Sequence, residues 1–162
     1  NYGVALLLKE EATGKIFLQR VKITGSNAKP RILEIFKDEV IGLPGIPTVS
    51  ALPLNGPEYM FFAVDKNVYC LDLNNITKPV TLYKSFDANV VAMNAESETY
   101  SCAHMAVGLE NGEFYILMIY GAKNLSEEEK VIYPKHGAAY PAEERMGRIV
   151  DIKYKQLDHW NY

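Results

Sequence analysis

The sequence predicts an all-β chain built from repeated antiparallel sheets, and two observations lead to this prediction. Short runs of about six to nine residues, rich in Val, Ile, Tyr and Phe, alternate with Gly, Pro, Asn and Asp. This is the pattern of strands joined by turns. One plan of strands also recurs three times, with turns near positions 14, 67 and 112 that are 53 and 45 residues apart. Apolar spacing of three and four residues is missing over any useful length, so we expect little or no helix.

Three β-hairpins form the most regular part of the repeat. Their apolar strands lie at 4–9 and 15–21, at 59–64 and 68–73, and at 104–109 and 114–119. The turns between them are Thr13-Gly14, Asp65-Lys66-Asn67 and Asn111-Gly112. An Asn-Gly pair is the strongest short hairpin signal, because a type I′ turn needs positive φ at both central positions.

Further strands flank each hairpin. More polar strands follow the hairpins at 29–33, 78–82 and 130–134, and additional strands precede the second and third hairpins at 48–54 and 89–95. A last strand is predicted at 147–154, within a closing segment that we place at 147–155. The predicted order is therefore three strands, four strands, four strands and one strand.

Four antiparallel strands that recur every 40 to 55 residues are the signature of the blades of a β-propeller. The run 114–120 is apolar at both odd and even positions, which indicates that both faces of this strand are covered, as in stacked blades. We expect a single all-β domain or fragment, with repeats at about 1–42, 43–88 and 89–146.

Three blades are fewer than the four to eight that close a propeller. The sequence therefore predicts a partial propeller: part of a longer chain whose earlier blades precede it, or a stack that self-associates through its open end blades. The main alternative is a β-sandwich with a similar number of strands.

Charge and hydropathy argue against nucleic-acid binding and against a transmembrane segment. The chain has 17 basic and 20 acidic residues and a formal net charge of -3, which gives no basic excess to attract nucleic acid. No apolar run approaches the 18 or more residues that span a bilayer as a helix, so we predict no transmembrane segment.

The residues that could carry chemistry favour a noncatalytic protein without cofactor or metal. Cys102 and His104 point to the same face of a strand, but zinc needs three or four ligands, and His136 and His159 lie without ligand spacing. Carboxylates cluster beside the hairpin turns, where they cap backbone groups: Asp65, Asp72, Glu110 and Glu113. The sequence contains no phosphate loop and no nucleophile motif.

The two cysteines, Cys70 and Cys102, lie in apolar runs where a thiol acts as a small hydrophobe. A disulfide between them stays open as an alternative if the two strands lie side by side.

Aromatic residues near the C-terminus are the candidate ligand or partner contacts. Tyr133, Tyr140, Trp160 and Tyr162 lie in a stretch interrupted by proline and glycine. Aromatic rings stack on sugar faces and supply contact area in protein interfaces.

The chain resembles the C-terminal propeller-like portion of PKD-like family lipoproteins from Bacteroidetes. The residues that carry the resemblance are the segment 147–154, the hairpin 61–69 and the hairpin around Glu110-Asn111-Gly112-Glu113. The resemblance implies a lipid-anchored protein of the outer membrane surface, often associated with systems for glycan uptake, and it supplies no catalytic residues.

Together, the repeat and the resemblance predict a noncatalytic binding or scaffold domain for a glycan or another surface protein. One alternative is a glycan-active propeller enzyme with carboxylates from several blades, because such sites need no contiguous motif. Another is an intracellular interaction propeller, although the Gly-His and Trp-Asp pairs of the WD40 repeat are missing from the sequence.

Overall fold

A computed structural model describes residues 2–26, 29–53, 59–99, 102–120, 134–136 and 147–153. These residues contain strands and no helix. The strands are β1 (Tyr2–Lys9), β2 (Ile16–Ser26), β3 (Lys29–Glu39), β4 (Val49–Ala51), β5 (Tyr59–Val64), β6 (Asn67–Asp72), β7 (Thr81–Ser85), β8 (Val90–Thr99), β9 (Cys102–Leu109), β10 (Phe114–Tyr120) and β11 (Pro134–His136).

The strands form three separate antiparallel sheets in chain order. The first sheet is β1-β2-β3, the second is β4-β5-β6-β7, and the third is β8-β9-β10-β11. Every pair of neighbouring strands is antiparallel. The all-β, antiparallel prediction is confirmed. Three sheets in succession also differ from the two opposed sheets of a β-sandwich.

The second sheet lies between the other two, and the alternation along β5 shows how. Phe61 and Ala63 belong to a buried cluster shared with the third sheet, whereas Met60 and Phe62 belong to a cluster shared with the first sheet. Successive side chains of a strand point to opposite faces. The continuous apolar run of β5 is therefore explained by a sheet that is covered on both sides.

The third sheet supplies most of its core from β9 and β10. The alternate residues of β9, from Ala103 to Leu109, pack with Leu117 and Ile119 against the second sheet. The first sheet supplies Ile16 and Leu18 to the other cluster, where they pack with Val40 and Leu71. Each interface is thus an apolar layer between two sheets, as in other face-to-face sheet packings.

The first strands of the second and third sheets lie against each other. β4 contacts β8, and the Thr48 hydroxyl just before β4 donates to the carbonyl of Val90 at 3.3 Å. The amide of Val90 also donates to the carbonyl of Asp65 at 2.8 Å. Because these bonds link different sheets, they fix how the second and third sheets are stacked.

The turn between β9 and β10 differs from the predicted type I′ geometry. Gly112 has a φ of 86°, but Asn111 does not have positive φ. The amide of Gly112 donates to the carbonyl of Leu109 at 3.1 Å, and the amide of Leu109 donates to the carbonyl of Glu113 at 2.8 Å. This is a three-residue connection in which only the glycine is left-handed.

The predicted closing strand is wrong within the described residues. Residues 147–153 pair with no strand there, and positions 154 and 155 lie outside those residues. Ile149 instead lies against the face of β9, where a Cβ added to Gly108 would be 2.7 Å from its Cγ2 atom. β-branched residues favour strands only where a partner edge is present, and the segment packs on a sheet face without such an edge.

Candidate functional site

The four aromatic residues that the sequence predicts as ligand contacts, Tyr133, Tyr140, Trp160 and Tyr162, lie outside the described residues. Their role stays a prediction. Within the described part of the chain, a groove at the crossing from the first sheet to the second offers a candidate binding site. We call it the linker groove.

The linker groove lies between the β1–β2 turn and the connection from β3 to β4. It encloses about 410 Å³, which lies within the size range of small-ligand sites. Its walls are Lys9, Gly14, Lys15 and Ile16 on the hairpin side, and residues 39–46 on the linker side.

Backbone hydrogen bonds hold both walls of the groove. The amide of Val40 donates to the carbonyl of Ile16 at 2.8 Å, and the amide of Val80 donates to the carbonyl of Ile41 at 2.9 Å. On the other wall, the amide of Glu10 donates to the carbonyl of Lys15 at 2.9 Å. Because Val40 is also buried in the core, the linker is anchored to both sheets, and the groove is built before any ligand binds.

A charged pair bridges the two walls. The Lys15 Nζ atom is 2.8 Å from Glu39 Oε2. The hydrogen bond to the Glu39 carboxylate, together with its negative charge, raises the pKa of Lys15 above the ordinary lysine value. The Lys15 side chain is exposed and the Glu39 side chain is partly exposed, so the pair offers a donor and an acceptor to a polar ligand.

Two apolar side chains flank this charged pair. Ile41 and Ile46 belong to the linker and are large exposed hydrophobic residues. Their exposure next to Lys15 and Glu39 gives the groove an apolar rim with polar groups inside it. Such a mixture binds ligands that present both hydroxyl groups and C–H surfaces. The sequence did not single out these residues, because 39–46 has the composition of an ordinary connecting loop.

Two of the carboxylates that the sequence places near turns make hydrogen bonds to nearby residues. Asp72 accepts a hydrogen bond from the amide of Asn74 at 2.9 Å. Glu113 accepts one from the hydroxyl of Tyr115 at 3.3 Å. Asp72 thus bonds to a backbone amide, as the sequence predicts, whereas the Glu113 contact is with a side chain.

The cysteine and histidine candidates lie in the sheets. Cys70 is on β6 of the second sheet and Cys102 is on β9 of the third, so their strands are not neighbours within one sheet. His104 is buried on β9. Across the described ranges, no group of three or more His, Cys, Asp or Glu side chains is arranged to hold a metal ion.

No known protein family matches the sequence, and no curated protein matches it. In the described residues, no helix has the length and apolar character required to span a bilayer.

Proposed function

We propose that this chain is a noncatalytic binding or scaffold domain built from propeller-type blades, and that it holds a glycan or a protein partner at a bacterial cell surface. The surface location and the lipoprotein character follow from the resemblance to PKD-like family lipoproteins. The blade architecture and the binding role are supported by separate observations on the described residues.

The stacking of the sheets supports the blade architecture. The second and third sheets each run from a first strand, β4 or β8, outward through three sequential neighbours. The two first strands contact each other, and apolar layers fill the space between consecutive sheets. Blades of a propeller are arranged in this way, with their first strands nearest the common axis.

The linker groove is the observation that carries the binding role. It is a concave site held in place by the core, and propellers use the loops at the ends of their blades for binding. A volume of about 410 Å³ suits one or two sugar units better than the broad surface that a protein partner buries. The groove therefore favours a glycan, with Lys15 and Glu39 bonding to hydroxyl groups and Ile41 against a sugar face.

Affinity electrophoresis through gels that contain single soluble polysaccharides, both neutral and acidic, tests this role. We expect at least one polysaccharide to retard the wild-type protein. The double variant Lys15→Gln and Glu39→Gln should lose most of that retardation. The matched control is Lys22→Gln with Glu34→Gln, because Lys22 and Glu34 form a similar exposed pair at 3.7 Å on β2 and β3, away from the groove.

Three results would count against the proposal. Equal loss of retardation in both double variants would mean that the linker groove is not the site. Release of shorter glycans during incubation, abolished by replacing a single carboxylate, would instead identify a glycan-active enzyme. Binding to none of the polysaccharides would remove the glycan as the ligand.

A further inference from the structure

The first sheet has an open edge at a place where the other two sheets have a strand. β5 and β9 are each flanked by a first strand, β4 and β8 respectively. β1 holds the corresponding place in the first sheet, and among the described residues it pairs only with β2. The outer edge of β1 therefore presents backbone N–H and C=O groups that can pair with a further strand.

An apolar groove runs along this edge. It encloses about 210 Å³ between β1 and β4, and its lining includes Leu7, Leu8, Ile46, Pro47 and Val49. β4 contacts β8, the first strand of the next sheet. A first strand added to the first sheet would contact β4 in the same manner, and this groove is the space that it would fill. We call it the edge groove.

Residues 147–153 have the properties of such a first strand. They follow the third sheet in the chain as β4 follows the first sheet and β8 follows the second. Ile149 packs on β9, just as β8 contacts β5. Val150, which points the opposite way in an extended chain, is 87% exposed, although it is a β-branched apolar residue suited to a sheet.

The segment cannot reach the edge groove of its own chain in this arrangement. Ile149 contacts the third sheet, whereas β1 belongs to the first sheet, and the second sheet lies between them. Two sheet spacings amount to roughly 20 Å. The acceptor edge and the donor segment thus lie at opposite ends of the stack, which is the geometry of a head-to-tail contact between molecules.

We propose that residues 147–153 of one copy of this chain pair with β1 of a second copy, antiparallel to it, within the edge groove. The added strand completes the first sheet to four strands. Two copies with three sheets each supply six sheets, a number within the range at which propellers close. This proposal rests on the stacking of the sheets and is independent of any glycan binding.

Sedimentation of the 162-residue chain over a wide range of concentrations tests the proposal. We expect a dimer that dissociates on dilution. Ile46→Glu places a charge in the acceptor groove, and Val150→Glu places one on the donor segment. Each should weaken the dimer by about tenfold or more, since burying the charge costs at least 1.4 kcal/mol. Leu82→Glu is the matched control, because Leu82 on β7 is 59% exposed and Ile46 is 60% exposed.

Mixing the two variants separates strand exchange from general apolar association. The Ile46→Glu copy keeps an intact donor segment, and the Val150→Glu copy keeps an intact acceptor groove. An equal mixture should therefore dimerise more strongly than either variant alone. In the wild-type dimer, the outward amides of β1 should exchange with solvent more slowly than in the dilute monomer.

Several outcomes would overturn the proposal. One is a wild-type chain that stays monomeric at every concentration. The edge groove would then bind a strand from some other molecule or not bind a strand at all. A second is weakening of the dimer by Leu82→Glu as much as by Ile46→Glu. A third is a mixture of variants that associates no better than its components.

Discussion

Gly108 is the residue of β9 at which the 147–153 segment comes closest to a sheet. The position has no unusual φ, so its lack of a side chain matters only for space. A Cβ there would be 2.7 Å from Ile149 Cγ2 and 3.3 Å from Ile149 Cβ and Cδ1. Packing at this point therefore depends on the absence of a single methyl group.

The Gly108→Ala variant should lose about 1–3 kcal/mol of stability, because overpacking forces either Ile149 or β9 to move. The Ile149→Ala substitution removes the clashing Cγ2 and Cδ1 atoms of that side chain. Gly108→Ala should therefore destabilise the Ile149→Ala protein less than it destabilises the wild type. Chemical denaturation of the four members of this double-mutant cycle measures the coupling. If the changes in the free energy of unfolding caused by the two substitutions are additive, the two residues do not contact each other.

Tyr83 of β7 is half-buried beside the aromatic ring of Phe61, with ring centroids 4.9 Å apart in an edge-on arrangement. Loss of solvent around the Tyr83 hydroxyl raises its pKa well above the ordinary tyrosine value, and the charges of the nearby Cys70 and Tyr59 side chains raise it further. The folded state therefore holds this proton at a pH where the unfolded chain releases it.

The sign of the pH dependence follows from that difference. Above a pH of about 10, the unfolded chain binds fewer protons than the folded one, so the free energy of unfolding falls as pH rises. The Tyr83→Phe variant keeps the ring and removes the ionisable group. We expect its denaturation midpoint to fall less steeply than that of the wild type between neutral and alkaline pH. Parallel curves for the two proteins would contradict this origin of alkaline sensitivity.

At the scale of elements, the hairpin turns determine where each strand reverses. The β5–β6 hairpin has a two-residue turn, since Val64 pairs with Asn67, and Asp65 adopts a φ of 52° there. The β9–β10 hairpin reverses over three residues and concentrates the left-handed conformation in Gly112. Asp tolerates this region better than most residues with a side chain, and glycine enters it without strain.

These two turns give a matched pair of substitutions. Gly112→Ala should destabilise the protein by about 1 kcal/mol, because alanine at a φ of 86° is strained. Asp65→Gly should be close to neutral, since relief of strain offsets the greater entropy of the unfolded chain. Thermal unfolding of both variants measures the difference. Equal destabilisation by the two changes would show that backbone conformation is not what these positions require.

At the scale of the whole molecule, the central sheet joins the other two through opposite faces of one strand. Phe61 and Phe62 are consecutive residues of β5 and are both fully buried. Phe61 packs in the layer shared with the third sheet, and Phe62 packs in the layer shared with the first. Each face of β5 thus controls a different interface.

Truncating the two rings separately should loosen different parts of the stack. Phe62→Leu should speed amide exchange mainly in β1 to β3, and Phe61→Leu mainly in β8 to β10. Each change should cost about 1–2 kcal/mol, since the apolar contact area becomes smaller. Hydrogen exchange read by mass spectrometry resolves the regions. The same exchange pattern in both variants would mean that the stack opens as one unit.

The all-β, antiparallel character of this protein was determined by the sequence alone. Alternating apolar runs and turn residues depend on neighbours a few positions away, so the hairpins around Asp65 and Gly112 could be predicted from local chemistry. The predicted order was three, four, four and one strands; the described residues form sheets of three, four and four strands, and the single last strand is not observed there. The sequence predicted covering on both faces from the run 114–120, and the structure shows such covering for β5, whose two faces pack in the two buried clusters.

Only the tertiary structure decided that residues 147–153 pack on β9 without forming a strand, and where the two grooves lie. Ile149, Val150 and Ile152 have the composition of a strand, but a strand forms only where another strand offers an edge, and that partner is set by contacts distant in sequence. The linker groove joins Lys15 to Glu39, which are 24 positions apart. Their proximity follows from the pairing of β2 with β3 and the anchoring of Val40, a long-range arrangement that no local pattern of residues specifies.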